Sequence, residues 1–495
     1  MLTPAEIKKF IDEDKASMKK KLARIGQRYY EGEHDIKDMR MFYWNTDGIL
    51  CEDTTRANSR ISHPFFMVLA DQLSSYLLSS KENPIRAREN VDGLQDKLDT
   101  YFDDKFWAEI GELITGAYTK GFEYLYAYMG KHDRTEFQCA DSLGVVEVRA
   151  NDTDTNTEHV IWWYVDRVDV DGERIKRIQV WDAQQVQYFV QKDDGEIELD
   201  KSQQINPRPH AIFQEDGSEE ITYEEYGVIP FFRLDNNKKQ RSGLMPIKDL
   251  VDDFDLHACS LSNNLIDFDM PLHVVKGYQG DDLEKLQQNL KTRKIIGVDS
   301  EGGIEVHTVD IPYQAREAKL KLDKENIYVY GMGFDPTQVG DGNITNVVIR
   351  SRYTLLDLKA CKMKTRLCAL LDDVVELVLN EINSTEKTDF QLSDIEYVFD
   401  FEVMTNESEN IQNAKVQAET QQIQVNTVLN VAMQIGEEAA LQAICEIMEL
   451  DFDELKGRMD QIQAQQTETA EAQATLESVV TVDEPTAEVG AKAIP

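Results

Sequence analysis

Apolar residues recur at three- and four-residue steps in some stretches of this chain and cluster in β-branched or aromatic runs in others, and these two patterns divide it. Residues 3–30 open with Thr3-Pro4-Ala5-Glu6. Thr3 can cap, Pro4 suits the first helical position and Glu6 can close a capping box, so a helix is predicted to start there. Pro64 opens another, whose Phe66, Leu69, Leu73 and Leu77 recur as a core-facing stripe. Between 122 and 226 the period changes, and strands are predicted over 122–129, 159–165, 174–181 and 186–191, with turn signals at 169–172 and 193–195. The acidic stretch 215–225 reads as a solvated hairpin. Residues 1–246 are therefore expected to form an α+β body.

Helical periodicity returns from Pro246 to about Phe268, where Pro271 stops it, giving about 30 Å of helix. The segment 270–312 is mixed: a strand over 272–276, a short helix near 282–291 and a hairpin around 300–303. A second helix over 313–330 has a similar length, so the pair is expected to form antiparallel walls carrying the small unit at their shared end. Gly331-Met332-Gly333 ends it, and a loop with Gly340, Gly342, Asn343 and Asn346 runs to Val347. That is longer than most connections in bundles, and long loops often carry function.

A long helix is predicted over 348–383. Leu356, Ala360, Met363, Leu367, Leu370, Leu371, Val374 and Val378 share one face, and Arg352, Lys359, Lys362 and Arg366 a basic one. A strand over 395–403 and a capped helix from Asn406 follow; Gly436 stops that helix, and shorter ones to about 466 would complete a bundle. The tail 467–495 has the composition of a disordered segment. The whole reads as α+β and mostly helical.

Composition narrows the chemistry. A chain of 495 residues with 41% hydrophobic content is long enough for several cores. It has no run of about 18 apolar residues and no leader-like N-terminus, so a cytoplasmic product with no membrane partner is expected. Six scattered cysteines suggest neither a zinc site nor a disulfide framework. A net charge of −39 argues against tight DNA binding, yet a conduit gains nothing from strong attachment, and an acidic wall acts only within about 8 Å at physiological salt. The basic residues Lys19, Lys20, Lys21, Arg24 and Arg28 of the first helix read as a solvated face rather than phosphate contacts.

Gly130-Lys131 is followed by His132, so no phosphate-cradling loop exists there, and GxSxG, HExxH and dinucleotide motifs are missing. No catalytic residue, metal or cofactor is expected. The alternative in another class is a metal-dependent nuclease using Asp252, Asp253, Asp255, Asp267 and Asp269, with His257 beside them. In helical register Asp252, Asp255 and Asp269 share roughly one side while Asp253 points elsewhere, and a solvated acidic face is the reading favoured over a metal site. A third reading is a structural adaptor that never meets DNA.

The order of elements resembles the portal proteins of tailed phages of siphophage type. Tyr29-Tyr30-Glu31-Gly32-Glu33-His34-Asp35-Ile36 is similar to that family's early YY-x-G-x-H element. Asn58, Arg60, Ile61, Pro64, Phe65, Asp71, Tyr76, Leu77 and Pro84 fall where its first core helix has its signature. Ile229-Pro230-Phe231-Phe232 with Asn236-Asn237, then Ile247-Lys248-Asp249-Leu250-Val251-Asp252, then Lys276-Gly277-Tyr278-Gln279-Gly280 resemble later blocks in the right order. The resemblance spans about residues 20–400, and colinearity is what carries it.

The resemblance implies a dodecameric ring at one capsid vertex, with double-stranded DNA passing transiently and non-specifically along its axis. It also implies the parts: a wing (1–246), a first stem helix (247–269), a clip (270–312), a second stem helix (313–332), a tunnel loop (333–347), a long wing helix and strand (348–403) and a helical crown (404–466). The implied partners are the terminase packaging motor, a head-completion adaptor, and major capsid and scaffolding proteins. The tunnel loop would offer Gln338, Val339, Asn343, Ile344, Thr345, Asn346 and Val347 to the channel. The clip would dock its partners through Lys276, Tyr278, Asp282, Lys291, Arg293 and Lys294. The family's loop end usually reads N-x-S-G-x-A-L-K, whereas here it is Asn343-Ile344-Thr345-Asn346-Val347-Val348-Ile349-Arg350, with asparagine replacing glycine. Ion pairing with the neighbouring subunit is expected of the basic face in preference to DNA contact.

Overall fold

The computed structural model describes residues 2–54, 56–80, 82–88, 91, 93–130, 134–149, 157–168, 172, 174–214, 221–268, 272–276, 303–307, 313–338, 346–401, 407–448, 452 and 456–458. The chain divides into two compact units, one of Met1–Gly342 with Val347–Met404, the other of Asn343–Asn346 with Thr405–Pro495.

In the first unit, α1 (Pro4–Ala16) carries the predicted capping box between Thr3 and Glu6. α2 (Met18–Tyr30) follows after a break at Ser17, whose N–H closes α1 on Asp14 and whose side chain caps α2. The break alters the expected solvated basic face. Lys20 is buried, pairs with Asp14 at 3.0 Å and donates to the carbonyls of Ser142 and, at 2.7 Å, Val145. Lys19 lies 3.8 Å above the Phe122 ring.

A hairpin of β1 (Phe42–Trp44) and β2 (Leu50–Glu52) precedes α3 (Phe65–Leu77), β3 (Ile85–Ala87), α4 (Leu94–Tyr101) and α5 (Asp104–Lys120). α3 buries the four predicted residues Phe66, Leu69, Leu73 and Leu77. α2 crosses α5 so closely that a Cβ on Gly26 would stand 1.9 Å from the Thr119 carbonyl oxygen. Backbone, not a flexible side chain, is the obstacle. Gly26→Ala should therefore cost about 1–3 kcal/mol, as overpacking does, read as a lower urea midpoint at unchanged slope.

The strands β4 (Phe122–Met129), β5 (Thr135–Ala140), β6 (Val145–Arg149), β7 (Thr157–Val168), β8 (Arg174–Trp181), β9 (Gln185–Lys192), β10 (Ile197–Leu199), β11 (Arg208–Pro209), β12 (Ala211–Gln214), β13 (Ile221–Glu224) and β14 (Phe231–Asp235) complete the α+β body. One sheet has the order β10-β9-β8-β7-β6 with β11 on β9, a second the order β14-β4-β5. All its pairings are antiparallel. Ile7 and Ile11 of α1 close the first sheet's core against Val146, Ile161, Ile178 and Phe189. The expected acidic hairpin is the β12–β13 pair, which begins four residues earlier, at Ala211.

α6 (Lys248–Phe268) and α7 (Tyr313–Tyr330) are helices where helical periodicity predicts them. Between them lie β15 (Leu272–Lys276) and β16 (Gly303–His307), paired antiparallel from Leu272↔His307 to Lys276↔Gly303. Gly303 is thus the first residue of β16, whose partner is β15; the expected short helix at 282–291 lies outside the described residues.

α8 (Asn346–Glu386) starts two residues earlier than predicted and ends three later. Its Leu367, Leu371, Val374 and Val378 are buried in the same core as α3 and α5. Of the strand expected over 395–403, β17 (Ile395–Tyr397) forms and 398–401 do not continue it, because its partner β3 has three residues; 402–403 lie outside the described residues. Beyond it Phe399 packs on Trp107 and Phe401 stacks on Tyr76, side-chain contacts that replace a ladder.

The second unit contains α9 (Glu407–Ile435) and α10 (Glu437–Met448), separated as expected at Gly436, whose φ of +92° suits glycine.

Candidate functional site

Three places gather the residues that sequence singled out: α6, the end of α7 and the start of α8. Along α6 runs an extended segment, 57–63, that belongs to no sheet. The N–H groups of Ala57, Ser59, Ile61 and His63 donate to Asp267 Oδ1 (3.0 Å), Asn263 Oδ1 (2.7 Å), Cys259 Sγ (3.2 Å) and Asp255 Oδ1 (2.9 Å). Acceptors four residues apart line one helix face, and alternate amides of an extended chain point one way, so the two spacings meet. The segment is a strap on α6.

Asp255 anchors it. Its side chain is fully buried, with His34 Nδ1 2.6 Å from Oδ2 and His63 Nδ1 2.7 Å from Oδ1. His34 Nε2 faces the Tyr29 carbonyl at 3.2 Å, and the Tyr29 ring stacks on the imidazole with centroids 4.5 Å apart. Burial pushes the Asp255 carboxyl up, but hydrogen bonds from His34 and His63 outweigh it and hold the group below its ordinary value. The other α6 carboxylates are engaged too. Asp252 accepts from Tyr29 (2.5 Å) and Lys248 (2.6 Å), and Asp253 from Lys319 of α7 (2.5 Å). His257 lies 3.5 Å from Asp253, while Asp269 is outside the described residues.

Among the described residues the carboxylates named for a nuclease are each engaged elsewhere. Asp255 and Asp267 fasten the strap, Asp252 binds Tyr29 and Lys248, and Asp253 ties α6 to α7. Among the described residues no group of three His, Cys, Asp or Glu side chains could hold a metal ion. The side favoured as solvated is instead a fastening surface.

α7 ends at Gly331, whose N–H donates to Ile327 O (2.8 Å), and Gly333, whose N–H donates to Tyr328 O (2.9 Å), with Met332 at φ +52° between them. Both glycines rest on Leu69: a Cβ would come within 2.5 Å of its Cδ1 at Gly331 and 2.0 Å of its Cδ2 at Gly333. The Gln72 amide clamps the next residue, donating to Phe334 O (2.7 Å) and accepting from Phe334 N (3.0 Å), and the Phe334 ring stacks on Tyr353 at 4.5 Å. The start of the expected loop is thus fixed to the body.

A 3-10 turn, Pro336–Gln338, follows. Of the seven proposed loop residues, Gln338 is in that turn and Asn346 and Val347 are the first residues of α8; Val339, Asn343, Ile344 and Thr345 lie outside the described residues. Of the proposed clip surface, Lys276 ends β15, and Tyr278, Asp282, Lys291, Arg293 and Lys294 are likewise outside.

The basic face of α8 needs a correction. Lys362 is exposed and Arg352 and Arg366 are half-buried, but Lys359 is buried. Its Nζ donates to the carbonyls of Leu69 (3.2 Å) and Gly331 (3.1 Å) and lies 4.6 Å from the Tyr118 ring centroid. Burial lowers its pKa to about 7. Lys359 follows Leu356 by three residues and precedes Met363 by four, a spacing that already places it on the core face. It joins α8, α3 and the end of α7 where the chain leaves for the loop.

A family profile described as "Phage portal protein, SPP1 Gp6-like" matches residues 8–472, nearly the whole chain. This chain belongs to the phage portal protein family. Among its relatives, the portal protein of Bacillus phage SPP1 is 26% identical over 392 residues, covering 78% of this chain and 76% of the relative. The portal protein of Clostridium phage phiCD119 is 24% identical over 378 residues, covering 72% and 78%. A solved chain from the neck of a native GTA particle, computed with C12 symmetry, superposes with a TM-score of 0.37 and 13% identity over 72% of this chain and 85% of that one. Family membership rests on the sequence match and not on that superposition.

The resemblance carried by colinear motifs is borne out, and phage portal function comes with it. The family is one of structural ring components of the phage particle. Sequence reasoning missed what holds this portal-family chain together: His34 and Ile61 stand in the motifs that carried the likeness, but their partnership with α6 was not foreseen. A signal was present in the polar or sulfur-bearing residues at 255, 259, 263 and 267, one every four positions.

Proposed function

We propose that this chain assembles as a dodecameric ring at one capsid vertex, and that double-stranded DNA passes through the ring during packaging and ejection. Membership of the portal family over residues 8–472 is the observation that carries this reading. In it, 1–246 is the wing, 247–269 and 313–332 the stem helices, 270–312 the clip, 348–403 the long wing helix and strand, and 404–466 the crown. The tunnel loop reaches the axis. Because Phe334 is clamped by Gln72, the reach begins after it, and uncharged groups such as Gln338, Asn343 and Asn346 touch phosphates without reading sequence.

The chain acts as a conduit and docking platform, not as an enzyme, and needs no cofactor. The packaging ATPase, and later a head-completion adaptor, docks on the clip through Lys276, Tyr278, Asp282, Lys291, Arg293 and Lys294; capsid and scaffolding proteins surround the wing. Among the described residues no helix is long and apolar enough to cross a membrane. On α8, Arg352, Lys362 and Arg366 pair with the neighbouring copy in preference to DNA. The chain is made in the host cytoplasm and ends at the virion's portal vertex.

Electron microscopy of the purified chain, with native mass spectrometry, tests the reading. Closed rings of one size with an axial channel are the expected result. Monomers or dimers under every assembly condition would sink it.

A further inference from the structure

The β1–β2 hairpin is well built and poorly covered. Its register is Phe42↔Glu52, Tyr43↔Cys51 and Trp44↔Leu50. The Asn45 side chain accepts from Asp47 N (3.0 Å) and Ile49 N (2.8 Å), and Gly48 takes the left-handed conformation the turn requires. Asp53 N to Met41 O (2.8 Å) extends the pairing at its root, and the Arg60 guanidinium donates to Lys37 O (3.1 Å) beside it.

Alternation puts Phe42, Trp44 and Leu50 on one face, and these are 56%, 70% and 51% exposed. Tyr43, on the other face, and Ile49, in the turn, are exposed as well. None of these side chains belongs to the packed cores of the described residues. A two-stranded hairpin is marginal in water, so an apolar one that stands clear of its own core needs something to cover it.

Three aromatic and two aliphatic side chains at such exposure present on the order of 500 Å² of apolar surface. The Phe42, Trp44 and Leu50 face supplies roughly 350–400 Å² of it, a little under half of the roughly 800 Å² that each partner contributes to a stable protein interface, so the arm is one part of a larger contact. A closed ring is built from heterologous contacts, in which each copy offers one surface and receives a different one. A projecting arm suits the offered half.

We infer that the β1–β2 hairpin is an assembly arm whose Phe42, Trp44 and Leu50 face docks on the neighbouring copy of this chain. The inference rests on the ring reading above and adds which element closes the ring. The arm continues directly into the 57–63 strap, so an arm held by one copy is fastened to α6 of its own.

The test compares wild type with the Phe42→Ser/Trp44→Ser double variant by native mass spectrometry and electron microscopy, with circular dichroism as the check on folding. Wild type is expected to form rings. The variant should keep its dichroism and lose ring formation by roughly tenfold or more per interface, the factor carried by loss of one aromatic anchor. Variant rings at the wild-type level would overturn the inference and leave the ring reading standing; no rings from wild type would overturn both. Hydrogen exchange of residues 42–52 in the wild type gives an answer without a variant. Slower exchange in rings than in dissociated subunits is expected, and equal exchange refutes the arm.

Discussion

Asp255→Ala lowers stability by about 3–5 kcal/mol, the range expected when one partner of a buried, hydrogen-bonded charge cluster is removed. The substitution leaves His34, which is fully buried, without the acceptor it has at 2.6 Å, and frees the N–H and ring of His63 at the end of the strap. Thermal unfolding of the purified chain reads the loss. Asp255→Asn separates charge from shape: it keeps an oxygen for the strap and loses the carboxylate, so an intermediate loss is expected. The wild type also acquires a pH dependence here. Because the folded carboxyl lies below its ordinary value of 3.8, the stabilisation is complete above that value and disappears as pH falls through the lowered one. An Asp255→Ala protein as stable as wild type at pH 7 would refute the clasp.

Lys359→Met acts with the opposite sign. The folded chain releases the Lys359 proton above about pH 7. The unfolded chain holds it to its ordinary value of 10.5. Between these limits the unfolded state binds more protons, so wild-type stability rises with pH relative to the variant. At pH 6 both states of wild type are charged and the burial penalty is present in full, so methionine, similar in length and uncharged, should raise the melting temperature. Between about pH 7 and 9.5 that advantage should shrink by up to about 3 kcal/mol. Parallel melting curves of the two proteins at pH 6, 7, 8 and 9.5 decide it. A constant difference would mean that Lys359 keeps its charge by reaching water.

Much of the fold was legible. The helices α3, α6 and α7 and the strands β4, β8 and β9 sit at or within a residue or two of their predicted bounds, because their periodicity reaches from end to end between proline and glycine stops. β5 and β6 were not seen: they are short, and Glu136, Gln138 and Glu147 interrupt their apolar positions. The break at Ser17 was invisible, since a serine within a helical pattern costs little, and only the fold shows it capping two helices at once.

Family membership was also legible, because ordered motifs survive where single ones are weak. The chemistry of individual charges was not. Lys20 and Lys359 read as surface cations because lysine is rarely buried, yet both donate to backbone carbonyls inside the body. The carboxylates of α6 read as a solvated face or a metal site, and their true partners are up to 223 positions away in sequence.

The strap works like a vernier. Two residues of extended chain advance about 6.6–6.8 Å and four residues of helix about 6.0 Å, so the two rulers drift by about 0.7 Å per step. Over the three steps from His63 to Ala57 the drift reaches about 2 Å, which the segment takes up while its four bonds stay between 2.7 and 3.2 Å. α6 ends one residue past the last acceptor, so the helix offers no fifth position in this series. Recognition runs through main-chain N–H groups, so side chains at 57, 59 and 61 can vary, with proline barred. A single inserted residue would turn carbonyls toward Asp267, Asn263 and Cys259 and unfasten the segment. Its length, more than its composition, is what evolution must keep.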